Sequence, residues 1–137
     1  MFKPYVQITV FIRNKPGRFA ELCDLLYARG VDIRAMSVNP DADFGVVRLV
    51  VDQVEEAAQA LHEEGLMFMR NEVLIAEVPN RAGMAAGIGH RLAQAGVNIE
   101  YTYFSGGDEN TMALLIFKVA DLDSAMEKLA DPSGTYN

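Results

Sequence analysis

The sequence predicts an α+β fold made of two ferredoxin-like βαββαβ units in tandem, each with an antiparallel sheet and helices on one face. Three observations lead there. An apolar strand followed by Asn14-Lys15-Pro16-Gly17 and a helical pattern returns as a strand, Asn80-Arg81-Ala82-Gly83 and a helix, at an offset of 66 residues. That register holds without a gap at Gly17/Gly83, Leu26/Leu92, Gly30/Gly96, Val31/Val97 and Ile33/Ile99, the mark of an internal repeat. Within each repeat, β-branched runs alternate with segments of helical apolar spacing in the order βαββαβ.

Taken in order, residues 6–12 (Val-Gln-Ile-Thr-Val-Phe-Ile) are β-branched and aromatic, hence a strand. Asn14 falls in the N-cap region of the next helix, with Pro16 suited to its first turn. Phe19, Leu22, Cys23, Leu25 and Leu26 recur at helical spacing, and Gly30 ends the helix. Residues 31–38 form the second strand, 39–43 a turn and 46–51 the third strand. Asp52 is placed to cap a second helix carrying Val54, Ala57, Ala58 and Leu61, which Gly65 ends; residues 66–69 make a short fourth strand.

The second repeat reads likewise: strand 73–78, helix 84–95, strand 97–105, a hairpin turn at 106–110, strand 112–119 and helix 122–129. Pro132 and Gly134 leave only Thr135, Tyr136 and Asn137 for its fourth strand, which is therefore truncated or absent. The expected domains are residues 1–70 and 71–137.

The link between repeats is short. Residues 69–72 reach about 14 Å at full extension. Two complete repeats joined through their second strands would place the linked strands about 29 Å apart. Residues 66–78 are therefore expected to form a hairpin crossing between repeats, with strand four lent to the second sheet. Strand-two edges would then be free to pair between chains as a homodimer.

Composition narrows the function classes. Twelve Lys and Arg against nineteen Asp and Glu leave a formal charge of −7, unfavourable for phosphate backbones, and nucleic acid is not expected as a partner. The single cysteine, Cys23, excludes an internal disulfide and reads as a buried thiol of the first helix. Residues 1–4 lead directly into the first strand pattern, so no secretory leader is expected. No apolar run is long enough for a bilayer, and a cytoplasmic location without membrane contact is the expectation. His62 and His90 lie in separate repeats without local metal-ligand spacing, and no metal or cofactor is expected. The glycine-rich run 83–89 lies within a helix, where small residues for close helix contact explain it better than a phosphate loop.

The run Asn14-Lys15-Pro16-Gly17-Arg18-Phe19-Ala20-Glu21-Leu22, together with Gly30-Val31-Asp32-Ile33-Arg34-Ala35-Met36-Ser37, resembles the signature of the ACT domain family. Residues 43–49 and the joining segment 72–83 are similar in particular to its stand-alone tandem members. The resemblance covers nearly the whole chain. Two departures stand out: Ala82 occupies a position where the family favours proline, and the last strand is clipped.

The resemblance implies allosteric sensing of an amino acid, transmitted to an enzyme of amino-acid metabolism. It also implies ligand contacts from the loop after strand one, the start of helix one and the start of strand two of a neighbouring domain. Here the first two correspond to Asn14, Lys15, Pro16, Gly17, Arg18 and Phe19, and in the second repeat to Asn80, Arg81, Ala82, Gly83 and Met84. The strand-two starts are Asp32 and Ile33, and Asn98 and Ile99.

The chemistry of these positions suits a zwitterion. A helix's first turn offers unpaired N–H groups and the positive end of its dipole to a carboxylate. Gly17 and Gly83 allow close backbone approach. Asp32, the side-chain oxygen of Asn98 and strand-start carbonyls supply acceptors for an ammonium. Ile33, Met36 and Ile99 are candidates for an apolar side-chain pocket. The same residues also read as helix caps and turn formers, and recurrence does not separate the two, because a repeated fold repeats its caps.

The expected function is thus a non-enzymatic, amino-acid-responsive regulator. The alternative is a protein-interaction subunit without its own ligand response, similar to the small regulatory subunit of acetolactate synthase. A small enzyme rests on fold analogy alone. An RNA-binding role lacks the aromatic strand signature and basic surface.

Overall fold

The computed structural model describes residues 1–40, 43–108 and 111–130. Its elements are β1 (Phe2–Arg13), α1 (Arg18–Ala28), β2 (Ile33–Pro40), β3 (Phe44–Val51), α2 (Val54–Glu63), β4 (Met67–Pro79), α3 (Met84–Gln94), β5 (Ile99–Ser105), β6 (Met112–Val119) and α4 (Leu122–Leu129). They gather into two compact units. One is Val6–Asn71, the first unit; the other joins Met1–Tyr5 to the described residues from Glu72 onward.

In the first unit the strands lie in the order β2-β3-β1-β4. β1 and β3 pair antiparallel from Ile8↔Leu49 to Arg13↔Phe44, and β2 runs antiparallel to β3 on its other side. Alternation on a pleated strand puts Ile8, Val10 and Ile12 on one face. There they meet Leu22 and Leu26 of α1 and Leu61 of α2, in the expected helix-on-sheet core. Each fully buried side chain of this kind stabilises the fold by about 1.5–3 kcal/mol. On the opposite face of β1 the Gln7 amide donates to Thr9 Oγ1 (3.0 Å), and the Thr9 hydroxyl donates to Asn71 Oδ1 (2.6 Å). These bonds satisfy polar groups that burial would otherwise penalise.

The second unit repeats the plan. β5, β6 and β4 are neighbours in that order, and Leu74, Val78, Ile88, Leu92, Phe117 and Leu129 belong to its core. The strand beside β4 on its other edge is the chain's own N-terminus. The Glu77 N–H donates to the Met1 carbonyl (3.2 Å), Lys3 Nζ lies 3.7 Å from Glu77, and Phe2 packs against the second core. Arg91 of α3 sits over the Phe2 ring at 5.1 Å and donates to Met1 Sδ at 3.7 Å.

The ferredoxin-like expectation stands, with corrections in the connections. β1 begins at Phe2, four residues before the expected strand, and its first residues complete the second unit. No turn interrupts residues 66–78: β4 is one strand of 13 residues, not a hairpin. The expected truncated strand at Thr135–Asn137 lies outside the described residues, as do Asp41, Ala42, Glu109 and Asn110 of the two expected turns. Asp52 does not cap α2. Its carboxylate accepts from the Asp32 N–H (2.8 Å), and Gln53 is the N-cap residue. Asn14 does not cap α1, whose N-cap is Gly17, and Pro16 stands before that cap and not in the first turn. Among the described residues no helix is long and apolar enough to cross a membrane.

Candidate ligand-binding site

The loops after β1 and β4 have the same backbone. α1 starts from Gly17 at φ 87° and α3 from Gly83 at φ 88°, both left-handed, and a glycine N-cap brings no side-chain acceptor. The contrast is α4, whose N-cap Asp121 accepts from the Ser124 N–H at 3.0 Å. α1 and α3 therefore present a first turn whose N–H groups are not met by a cap side chain, next to the positive end of an 11-residue helix.

The asparagines hold the loops. The Asn14 N–H donates to the Asp43 carbonyl at 3.1 Å, and the Asn80 N–H to the Thr111 carbonyl at 2.8 Å. The Asn80 amide also donates to the carbonyls of Gly107 (2.6 Å) and Asp108 (3.2 Å), clamping the β5–β6 connection against its own loop. Asn14, Lys15, Pro16, Gly17, Arg18 and Phe19 are exposed, as are Arg81, Ala82 and Gly83, while Asn80 and Met84 are half-buried. The Arg18 guanidinium leans to Glu21 one turn on, 3.1 Å away.

The strand starts have different surroundings in the two units. The Asp32 backbone is tied on both sides, its N–H to the Asp52 carboxylate and its carbonyl to the Asp52 N–H (3.1 Å). Its side chain remains exposed. Exposed Asn98 borders a small cleft of about 150 Å³ with Asp121, Ser124 and Lys128. Asp52 and Asp121 are the neighbours that sequence reading missed, because they come from the far end of the third strand. An acid just before the second helix of each repeat is the available signal.

Within one unit the two halves of the expected site do not meet. Arg13, at the loop end of β1, pairs with Phe44, while Ile33 pairs with Val51 at the other end of β3. Pro79 and Ile99 stand in the same relation through Met112 and Val119 of β6. Seven residues of antiparallel strand span about 24 Å, far more than one amino acid covers. Among the described residues no three His, Cys, Asp or Glu side chains gather as a metal centre would require.

The sequence matches the family described as an ACT domain pair over residues 4–133. Among solved structures, protein BT0572 from Bacteroides thetaiotaomicron is similar with a TM-score of 0.82 and 27% identity, over 93% of this chain and 88% of that one. The regulatory subunit of aspartate kinase from Thermus thermophilus, in a ligand-free form, is similar with a TM-score of 0.63 and 17% identity, over 93% of both chains. Its counterpart from Thermus flavus gives 0.57 and 17%, over 93% of this chain and 94% of that one. At these identities the two kinase subunits show a shared fold alone. No curated protein matches the chain.

Proposed function

This chain belongs to the ACT domain pair family, and from that membership we propose that it binds an amino acid and passes its occupancy to an enzyme of amino-acid metabolism. The observation that carries this reading is the matched pair of helix starts, each opened by a left-handed glycine and left without a cap side chain. Such a start is a seat for a carboxylate. An ammonium then needs acceptors within a few ångströms, and the strand start of the same unit lies about 24 Å away. The acceptors therefore come from another ACT unit, Asn98 and Asp32 being the residues that supply them. β2 and β5 are edge strands within their own units, open to pairing with another chain. A cytoplasmic homodimer with ligands at the junctions between ACT units follows. The fold shared with regulatory subunits of aspartate kinase supports an enzyme of amino-acid metabolism as the target, with this chain regulatory and not catalytic.

A thermal-shift screen against the twenty amino acids tests this. A ligand at a hundred times its Kd stabilises by about 2.7 kcal/mol, which for a chain of this size raises Tm by roughly 5–10 °C. A flat screen, with an enzyme still captured by the protein, would replace this reading with the interaction-subunit one. Light scattering at high micromolar concentration decides the dimer.

A further inference from the structure

The first unit contains a groove of about 710 Å³, within the range of small-molecule sites, that shares only Arg18 with the ligand reading above. It runs between α1, the end of β1 and the connection from α2 into β4. Its floor is apolar: Phe11, Ile12, Leu22, Leu25, Phe44 and Leu66. Its rim carries charges of both signs. Arg13, which lies over the Phe44 ring at 5.7 Å, stands at the end where β1 passes into α1, beside Arg18, which is ion-paired at 3.1 Å with Glu21 of the same rim. Asp24 lies six residues further down α1, about 9 Å along the helix axis, and Glu64 on the facing connection.

These charges are not part of the scaffold. At the offset of 66, Arg13, Arg18, Glu21 and Asp24 become Pro79, Met84, Gly87 and His90. Leu25 becomes Arg91, whose guanidinium donates to the Leu129 carbonyl at 3.0 Å and covers Phe2. A purely structural groove would be kept in both repeats. Here one repeat has a dipolar, apolar-floored cleft, while the other has lost every rim charge and set an arginine at the floor position.

We infer that this groove binds an elongated zwitterion. Its carboxylate lies at Arg13, its ammonium at Asp24 and Glu64, and an apolar chain of about five methylenes rests on the floor between them. The ligand class is that of ω-amino acids and short peptides with free termini. It differs from the compact α-amino acid of the junction sites, whose two charges are too close together to reach both ends.

Titration of the full-length protein with 6-aminohexanoate, followed by amide chemical shifts in α1 and residues 64–67, tests the inference independently of the thermal screen. The expected result is saturable binding there, about tenfold or more tighter than hexanoate, hexylamine or glycine, each of which lacks one charge or the spacing. Arg13→Gln and Asp24→Asn, both at exposed positions, should each weaken it by about tenfold with unchanged melting curves. Leu25→Arg, which copies the second repeat, should abolish it. Equal binding of hexylamine or hexanoate, indifference to both surface variants, or no saturable shift in this region would each overturn the assignment.

Discussion

At Gly17 and Gly83 a Cβ would meet nothing within 4 Å, yet both backbones lie at positive φ. Sequence reading treats these glycines as making room for a ligand; the structure adds that the conformation itself requires them. Gly17→Ala should therefore cost about 1–2 kcal/mol in urea unfolding, through left-handed strain in open space. Any larger residue confounds strain with ligand contact and is a poor probe of the site. Asn98→Ala is the cleaner probe. The side chain is exposed, so stability should change by less than about 0.5 kcal/mol, while calorimetry should show a roughly ten- to hundredfold rise in amino-acid Kd. The Cys23 thiol pKa is raised by partial burial and then by the neighbouring Asp24 carboxylate, so less thiolate is present near neutral pH. Alkylation at pH 8 should be slower in the native protein than in urea, and Asp24→Asn should recover part of the rate.

Helix boundaries show how one position of register changes a residue's role. Asp121 and Asp52 both stand just before the second helix of a repeat, and the sequence alone assigns a cap only to Asp52. Asp121 is the N-cap residue of α4, extended at φ −136°, and its carboxylate meets the first-turn N–H of Ser124. Asp52 lies one residue earlier, and its carboxylate turns back to the start of β2. Asp121→Ala should cost about 1 kcal/mol, localised to α4 in hydrogen exchange. Asp52→Ala should instead free the Asp32 N–H and loosen the start of β2. The strands and helices were legible because apolar periodicity is local: Ile8, Val10 and Ile12 at spacing two, Leu22 and Leu26 at spacing four. Capping was not, because it depends on the φ and ψ of a single residue.

For the whole chain, the decisive feature is the N-terminal strand. Phe2 and Arg91 lie 89 residues apart in the sequence and in contact. Removing residues 1–5 should lower protection of β4 residues 72–79 and of α3 in hydrogen exchange, and spare α1 and α2. Phe2→Ala alone should cost about 1–3 kcal/mol. A truncation that loosens the first unit instead would contradict this arrangement. The sequence by itself determined the repeat of 66, the α+β class and the identity of nearly every element, since each is written in short-range spacing. Only the tertiary structure decided that residues 1–5 complete the second unit, that β4 runs unbroken from Met67 to Pro79, and that the loop and strand start of one unit lie at opposite ends of its sheet. Those outcomes depend on which backbone N–H and carbonyl groups find each other across the chain, and backbone hydrogen bonding carries no side-chain signature to read in advance.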